Sequence, residues 1–225
     1  MGYWIAGGQG GEDMEFSYDG INWNPVPGGN ITGVDSIRGY DFNETRHVIS
    51  TTGTNKVLYS DDLINWNVVD TGSMYQNGRD VIWTGRRWLT SGSKGTGTGT
   101  IFHSDDGITW NDASNATNLA QGSATVLSGT CNRMAYNGSM IIGVGSGTHQ
   151  IAYSTDHGLT FTGILITGFT VGFAVEWCGT RWVVGGNTLQ MLLSNDGISW
   201  TQVVNPPFNS TCYGLKWNRS LYGAV

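Results

Sequence analysis

Charged residues are scarce in this 225-residue chain. Asp, Glu, Lys and Arg make up 12% of it, and 11 Lys and Arg against 17 Asp and Glu leave a formal net charge of −6. The cations stand singly apart from Arg86 and Arg87, so no basic stripe could follow a phosphate backbone. No apolar stretch reaches the roughly 18 residues needed to cross a bilayer. We therefore expect neither nucleic-acid binding nor membrane insertion.

Cysteine is equally sparse. Cys131, Cys178 and Cys212 cannot all pair, and their flanks are typical of buried strands rather than of a disulfide framework. No spacing among them and the four histidines matches a structural zinc site. Free thiols in a reducing compartment, no metal and no cofactor are expected. The first residues lack the cationic and apolar regions of a signal peptide, which predicts an intracellular protein.

Proline is rare at 4 residues, whereas glycine is abundant at 35. Glycine shows no three-residue period, which excludes collagen, and 10 Trp residues require burial, which excludes a disordered chain. Abundant Trp, Thr, Ser and Asn beside this glycine content are typical of many short strands joined by tight turns. The composition predicts an all-β fold.

One motif recurs five times: a Ser, an Asp, usually a Gly, and then an aromatic residue. Its serines, at 17, 60, 104, 154 and 194, lie 43, 44, 50 and 40 residues apart, a period that fits four-stranded propeller blades. The structural repeat residues are Ser17, Asp19, Gly20, Trp23, Ser60, Asp62, Trp66, Ser104, Asp106, Gly107, Trp110, Ser154, Asp156, Gly158, Phe161, Ser194, Asp196, Gly197 and Trp200.

A second pattern lies between these motifs. Trp83 and Trp88 flank a short polar turn, and Trp177 and Trp182 flank a matching one. Weaker copies begin at three further aromatic residues, Phe42, Tyr136 and Trp217. Two apolar, β-rich runs around a short turn predict a hairpin. Each repeat therefore supplies four strands, two from this hairpin and two around the Ser–Asp motif.

The chemistry of the Ser–Asp motif explains its residue types. Ser and Asp side chains accept hydrogen bonds from N–H groups that a tight turn leaves free. Glycine adopts the positive φ that other residues resist. The aromatic residue is expected to pack against the neighbouring sheet, where burial at about 25 cal/mol per Å2 would contribute several kcal/mol per repeat.

These segments resemble the Asp-box, or BNR, repeat of sialidases and sortilin-type receptors, whose pattern is S-x-D-x-G-x-T-W. The copy from Ser154 to Phe161 has the full spacing, and the other four copies are one residue shorter. Similar shortened repeats occur in uncharacterised proteins of large DNA viruses, phages and environmental microbes. The resemblance implies a β-propeller, and it adds a virion or another particle to the expected locations. It implies no activity.

We therefore predict a single domain over residues 1–225, a five-bladed β-propeller of four-stranded antiparallel blades, closed by pairing of the N- and C-terminal strands. The predicted blades are 212–225 with 1–30, then 31–70, 76–113, 127–166 and 169–205. Leu221–Val225 also has the pattern of a second strand and competes with the strand near Trp4. This surplus strand could be displaced to an edge, be exchanged with a neighbouring ring in self-association, or belong to a longer array.

First-strand side chains opposite the aromatic residues should line a central channel. Aligning the repeats puts five charged side chains there: Asp41, Asp80, Arg133, Glu176 and Lys216. They would form either an ion-paired, solvated channel or a binding site. Asp41, Asp80 and Glu176 are also the carboxylates from which a glycoside hydrolase would take its acid and base, as in the five-bladed furanosidases that this architecture resembles.

The leading hypothesis is a non-enzymatic binding or structural module that presents loops to a protein or a glycan, as a component of a virion or another assembly. A multivalent lectin is the alternative, and a glycoside hydrolase is third. A lectin would use polar and aromatic side chains that flank the motif: Tyr18, Asn22, Asp61, Asn65, Asp105, Thr109, Asn195 and Ser199. Simple turn chemistry accounts for the same residues.

Overall fold

A computed structural model of the chain describes residues 3–9, 14–72, 74–113, 126–187 and 190–217. These residues form nineteen β-strands, and every strand pair among them is antiparallel. The described ranges contain no helix that could cross a membrane. The all-β prediction is confirmed.

The strands fall into five successive units. Unit 1 contains β1 (Trp4–Gly7), β2 (Met14–Ser17) and β3 (Asn24–Pro25). Unit 2 contains β4 (Val34–Phe42), β5 (His47–Gly53), β6 (Val57–Ser60) and β7 (Asn67–Val68). Unit 3 contains β8 (Asn77–Trp83), β9 (Trp88–Ser93), β10 (Ile101–Ser104) and β11 (Asn111–Asp112). Unit 4 contains β12 (Thr130–Tyr136), β13 (Ile141–Ser146), β14 (Ile151–Ser154) and β15 (Thr162–Ile164). Unit 5 contains β16 (Gly172–Trp177), β17 (Trp182–Gly186), β18 (Met191–Ser194) and β19 (Thr201–Gln202).

Each unit pairs its strands in chain order, as a meander. Units 2 and 5 are separate four-stranded sheets, and unit 1 is a sheet of three strands. Pairing of Thr130 with Ser93 joins units 3 and 4 into one curled eight-stranded sheet. Four of the five repeats therefore supply the four strands that their sequence patterns predict.

The second strand is the buried centre of each complete unit. β5, β9 and β13 each carry five consecutive buried residues, as expected for strands covered on both faces. The core lies between units as well as within them, because Val48 and Val57 of unit 2 pack in one cluster with Val81 and Trp88 of unit 3. The hydrophobic effect therefore holds consecutive units together.

Neighbouring units meet through residues of complementary size. The facing pairs, with the second-strand residue first, are Gly7 and Ile37, Ser50 and Gly78, Ser91 and Cys131, Val144 and Gly172, and Gly185 and Cys212. A methyl group on Gly172 would overlap Val144, and one on Gly7 would overlap Ile37. Because at least one member of each pair is small, the second strand of one unit can approach the first strand of the next.

The C-terminal segment, residues 211–217, lies against unit 5 in the position of a following first strand. The Cys212 N–H donates to the Gly186 carbonyl over 3.0 Å. At the other end of the chain, β1 pairs with β2, and its outer edge has no strand beside it within the described residues. Closure by terminal strand pairing is thus not among the contacts of the described residues, and Leu221–Val225 lie outside them.

The aromatic residues of the two sequence patterns are buried to different degrees. Trp88 and Trp182, which begin second strands, are 1% exposed, whereas the motif residue Trp23 is 39% exposed. Three other motif residues are half-buried, namely Trp66, Trp110 and Trp200, while Phe161 is buried. Phe161 lies within a core cluster, and Trp66, Trp110 and Trp200 pack against the core as partly buried residues. The second-strand tryptophans Trp88 and Trp182 are the more deeply buried set.

Candidate functional site

The Ser–Asp turn repeats a set of local hydrogen bonds. In unit 3 the Ser104 hydroxyl donates to Asp106 Oδ1 and accepts from the Gly107 N–H, both over 2.8 Å. Asp106 Oδ1 also accepts the N–H groups of Ile108 and Thr109 over 2.8 and 2.7 Å. The matching Ser-to-Asp bonds of the other units measure 2.7 to 3.0 Å. The motif side chains thus satisfy the backbone of their own turn.

Backbone conformation explains the motif glycine. Gly107 has a φ of +75°, in the region that favours glycine. Unit 2 carries Leu63 at this position with a φ of 63°, so a side chain is accommodated there. In unit 4 the turn is one residue longer, and Asp156 Oδ1 accepts the Thr160 N–H over 3.0 Å. The longer spacing keeps the carboxylate in the same role.

Turn hydrogen bonds favour the ionised carboxylates. The N–H groups of Asn22 and Ile21 lower the pKa of Asp19 well below its ordinary value of 3.8. Burial raises the pKa of Asp106, but the N–H groups of Thr109 and Ile108 outweigh it and hold that pKa at about 2. These aspartates are therefore charged at neutral pH and cannot serve as proton donors there.

Two of the candidate lectin residues are held by the turns themselves. The Asn22 side-chain amide donates to Asp19 Oδ2 over 2.7 Å, and the Asn65 amide donates to Asp62 Oδ2 over 2.8 Å. These bonds are the turn chemistry expected as the simpler explanation. Four other candidates are exposed, namely Tyr18, Thr109, Asn195 and Ser199.

The remaining two lectin candidates form ion pairs across the face that carries the turns. Arg46 Nε lies 2.7 Å from Asp61 Oδ1, and Arg87 Nε lies 2.6 Å from Asp105 Oδ1. Arg46 Nη1 also donates to the carbonyl of Asp106 in the following unit. These arginines therefore tie the first hairpin of a unit to its Ser–Asp turn, and Arg46 adds a bond to the next unit.

The candidate channel carboxylates accept hydrogen bonds from the backbone of the next first strand. Asp41 Oδ2 accepts the Trp83 N–H over 2.6 Å, and Asp80 Oδ2 accepts the Met134 N–H over 2.8 Å. Glu176 Oε1 accepts the Trp217 N–H over 3.4 Å. Each carboxylate thus joins the first strand of its own unit to the first strand of the next unit. We call these first strands the inner strands.

Ion pairs engage the other two channel residues. Arg133 Nη1 lies 3.3 Å from Asp80 Oδ1, and Lys216 Nζ lies 3.0 Å from Glu176 Oε1. The structure therefore brings four of the five predicted channel residues together in two pairs. These are contacts expected of the ion-paired alternative rather than of a catalytic acid and base.

Asp80 is the most perturbed of these carboxylates. Burial raises its pKa to about 6, against the opposing effects of Arg133 and of the Met134 N–H. Burial likewise raises the pKa of Asp41, while the N–H groups of Trp83 and Phe42 oppose the shift. Desolvation thus outweighs hydrogen bonding at both positions, and at Asp80 it also outweighs the charge of Arg133.

The repeat alignment missed two arginines of the inner strands. β-bulges in β4 and β8 occur at the same repeat position, where Arg38 and Arg79 are the inserted residues. A single sequence gives no sign of a bulge, because a bulge shifts the strand alternation by one residue. The two arginines do share one repeat position, four residues before the aromatic residue, but only the strand pairing shows that this position is bulged.

The cysteines and metal-binding groups add no further constellation. Cys131 and Cys212 are buried free thiols, and burial raises the pKa of both. Burial opposes ionisation of Cys178, but the N–H groups of Thr180 and Arg181 lower its pKa overall. In the part of the chain that the structure describes, no group of three or more His, Cys, Asp or Glu side chains could hold a metal.

Comparison with known proteins identifies no relative: the chain matches no protein-family model and no curated protein.

Proposed function

We propose that the chain is a closed five-bladed β-propeller of shortened Asp-box-like repeats that acts as a non-enzymatic binding or structural module. The observation that carries the proposal is the shared role of Asp41, Asp80 and Glu176, each of which accepts a backbone N–H from the following inner strand. Carboxylates used in this way hold consecutive units in register. They supply rigidity to a scaffold rather than an acid and base to a reaction.

The repeat defines how the ring would close. In unit 3, Trp83 pairs with Trp88, Ile82 with Leu89 and Val81 with Thr90. Carrying this register to the chain ends pairs Trp217 with Trp4, Lys216 with Ile5 and Leu215 with Ala6. The C-terminal segment then becomes the first strand of unit 1, which has three strands of its own. All five units would contain four strands.

The far side of unit 5 supports the same closure. A cleft of about 350 Å3 beside Arg181 is lined by the Ser–Asp turn of that unit, including Asn195 and Asp196. Arg46, the corresponding residue of unit 2, donates to a carbonyl in the turn of unit 3. In a closed ring we expect Arg181 to donate to the equivalent carbonyl of Asp19.

A disulfide tests the closure directly. In a Cys178→Ser background, Ala6→Cys and Leu215→Cys occupy a pair without ladder hydrogen bonds, where Cα atoms lie about 4.5 Å apart and a disulfide fits. We expect an intramolecular disulfide under mild oxidation, detected by mass spectrometry and non-reducing gels. The matched control, Ile5→Cys with Leu215→Cys, faces opposite sides of the sheet and should remain reduced.

The alternative outcomes distinguish other arrangements. A disulfide-linked dimer would indicate strand exchange between copies, and no disulfide in the Ala6 and Leu215 variant would contradict closure.

Two separate assays test the binding role. Saturable glycan-array binding would favour the lectin. Glycoside hydrolysis that is lost in Asp41→Asn or Glu176→Gln would contradict a non-enzymatic module.

A further inference from the structure

Four of the first strands carry a β-bulge at one repeat position. The bulges lie between Ile37 and Gly39, Gly78 and Asp80, Cys131 and Arg133, and Gly172 and Ala174. The inserted residues are Arg38, Arg79, Asn132 and Phe173. Bulges redirect a side chain and are frequent beside binding sites. Two of these four positions, in the adjacent units 2 and 3, hold arginine.

A third arginine reaches the same place from unit 4. Arg133 Nη1 donates to the Arg38 carbonyl over 3.3 Å, although units 2 and 4 are separated in the chain by unit 3. Arg79 lies on β8, which packs against both β4 and β12, and its Nε donates to the Ser93 hydroxyl over 3.3 Å. The positive charges of Arg38 and Arg133 add to burial in lowering the pKa of Arg79. Three arginines from three consecutive first strands therefore lie in one neighbourhood, and we call them the arginine cluster.

The charge of the arginine cluster is only partly balanced. Among the ion pairs of the described residues, Asp80 is the carboxylate that joins it, with Oδ1 3.3 Å from Arg133 Nη1. The other oxygen of Asp80 accepts the Met134 N–H. Three guanidinium groups and one carboxylate leave two positive charges, on a chain whose net charge is −6. Holding like charges together is unfavourable unless an anion neutralises them.

We propose that the arginine cluster binds a phosphate group, free or as a phosphate monoester. Guanidinium N–H groups present forked donors that match phosphate oxygens. A dianion balances the two uncompensated charges, whereas a carboxylate would leave one. Solvent reaches the cluster, since Arg38 is exposed and the Arg133 side chain is 46% exposed.

The same repeat position in the units that follow the cluster favours a monoester with an organic ring. The bulge position of unit 5 and the matching position of the C-terminal segment hold Phe173 and Tyr213, whose ring centroids lie 5.3 Å apart. Aromatic faces pack against the apolar side of a sugar ring. Asn132 contributes to the frame rather than to the ligand, because its amide donates to the Gly172 carbonyl over 2.8 Å.

Isothermal titration calorimetry at low salt tests the site with three probes: inorganic phosphate, a hexose phosphate and acetate. We expect saturable one-to-one binding of both phosphate compounds, with acetate much weaker. Tighter binding of the hexose phosphate would identify a monoester as the ligand, and equal binding would identify free phosphate. Arg38→Gln and Arg79→Gln should each weaken phosphate binding at least about tenfold, because each removes a charge-assisted hydrogen bond.

Arg86→Gln is the matched control, since Arg86 is exposed in the turn at the other end of β8. It should bind phosphate like the wild type. Because Arg38 is exposed, we expect Arg38→Gln to fold like the wild type. It therefore tests the site even where Arg79→Gln lowers the stability of the protein. The proposal is overturned by the absence of saturable phosphate binding, by binding unchanged in Arg38→Gln, or by acetate that binds equally well. The site belongs to units 2 to 4, so its failure would not bear on ring closure, which the disulfide reports separately.

Discussion

Trp88 and Trp4 occupy the same repeat position in two units with different surroundings. Trp88 begins the second strand of unit 3 and is 1% exposed, whereas Trp4 begins the second strand of unit 1 and is 65% exposed. Unit 3 has its own first strand and lies beside unit 2, while unit 1 lacks a first strand in the described residues. The repeat therefore supplies the tryptophan, but neighbouring strands supply its burial.

The motif glycines follow the same division. A Cβ on Gly197 would meet Met140 and Ile142 of the preceding unit, and one on Gly107 would meet Arg46. Among the residues that the structure describes, a Cβ on Gly20 would meet only Trp4 of its own unit. The turns thus share the same internal hydrogen bonds, and they differ in whether a preceding unit packs against them.

The largest expected effect comes from truncating the two tryptophans. Trp88→Ala should lower the free energy of unfolding by about 3–5 kcal/mol, because it leaves a cavity between units 2 and 3. Trp4→Ala should cost about 2 kcal/mol or more if the C-terminal segment covers it in the closed ring. Urea denaturation with an unchanged slope measures both losses.

The ratio of the two free-energy losses shows whether Trp4 is buried in solution as Trp88 is. A cost for Trp4→Ala within about 0.5 kcal/mol of zero, as for an ordinary surface substitution, would mean that Trp4 stays exposed in solution. Trp88→Phe serves as a milder control, since it keeps an aromatic ring in the same place.

A second effect separates the inter-unit carboxylate of Asp80 from those of the turns. The folded-state pKa of Asp80, about 6, lies above its ordinary value of 3.8, so its stabilising effect is complete below about pH 4 and is lost as the pH rises to 6. We expect Asp80→Asn to remove this decline, on the order of 3 kcal/mol. Unfolding curves of both proteins across that range measure it.

The turn carboxylates have the opposite sign. The pKa of Asp62 is lowered by the Asn65 N–H, so its stabilisation is lost as the pH falls below 3.8. A wild-type free energy of unfolding that does not fall between pH 4 and pH 6, or that falls equally in Asp80→Asn, would contradict the raised pKa assigned to Asp80.

The smallest effect concerns the Ser–Asp turn. Ser104→Ala leaves the Gly107 N–H without the hydroxyl that accepts it at 2.8 Å, at a cost of about 1–2 kcal/mol. Ser17→Ala removes the matching bond to Gly20, 2.9 Å long in unit 1, and should cost the same. Thermal unfolding measures both. A clearly smaller cost in unit 1 would mean that even the turns depend on their neighbours.

Sequence reasoning succeeded where interactions are local. The spacing of Ser104, Asp106 and Gly107 predicts the turn, because its hydrogen bonds form within four residues. The hairpin between Trp83 and Trp88 is predicted for the same reason, and the two residues pair across it. Short-range patterns thus account for the strands and turns.

Reasoning from the sequence was weaker where contacts cross between units. Nothing near Asp41 in the chain indicates that its partner is the N–H of Trp83 in the next unit. The bulge at Arg79 is equally hidden, because it depends on how β8 pairs with β9. The candidate site therefore required the packing of inner strands, which one sequence does not encode in any local pattern.

The size-matched pairs between units make the order of the repeats significant. Val144 fits against Gly172, but the same valine placed before Ile37 would collide with it, and Gly7 placed before Gly78 would leave a gap. The units therefore cannot be exchanged for one another, although they share one repeat pattern. A chain with two units transposed would keep every Ser–Asp turn and still pack poorly between units. The fold therefore depends on the order of the units as well as on the repeat within each unit.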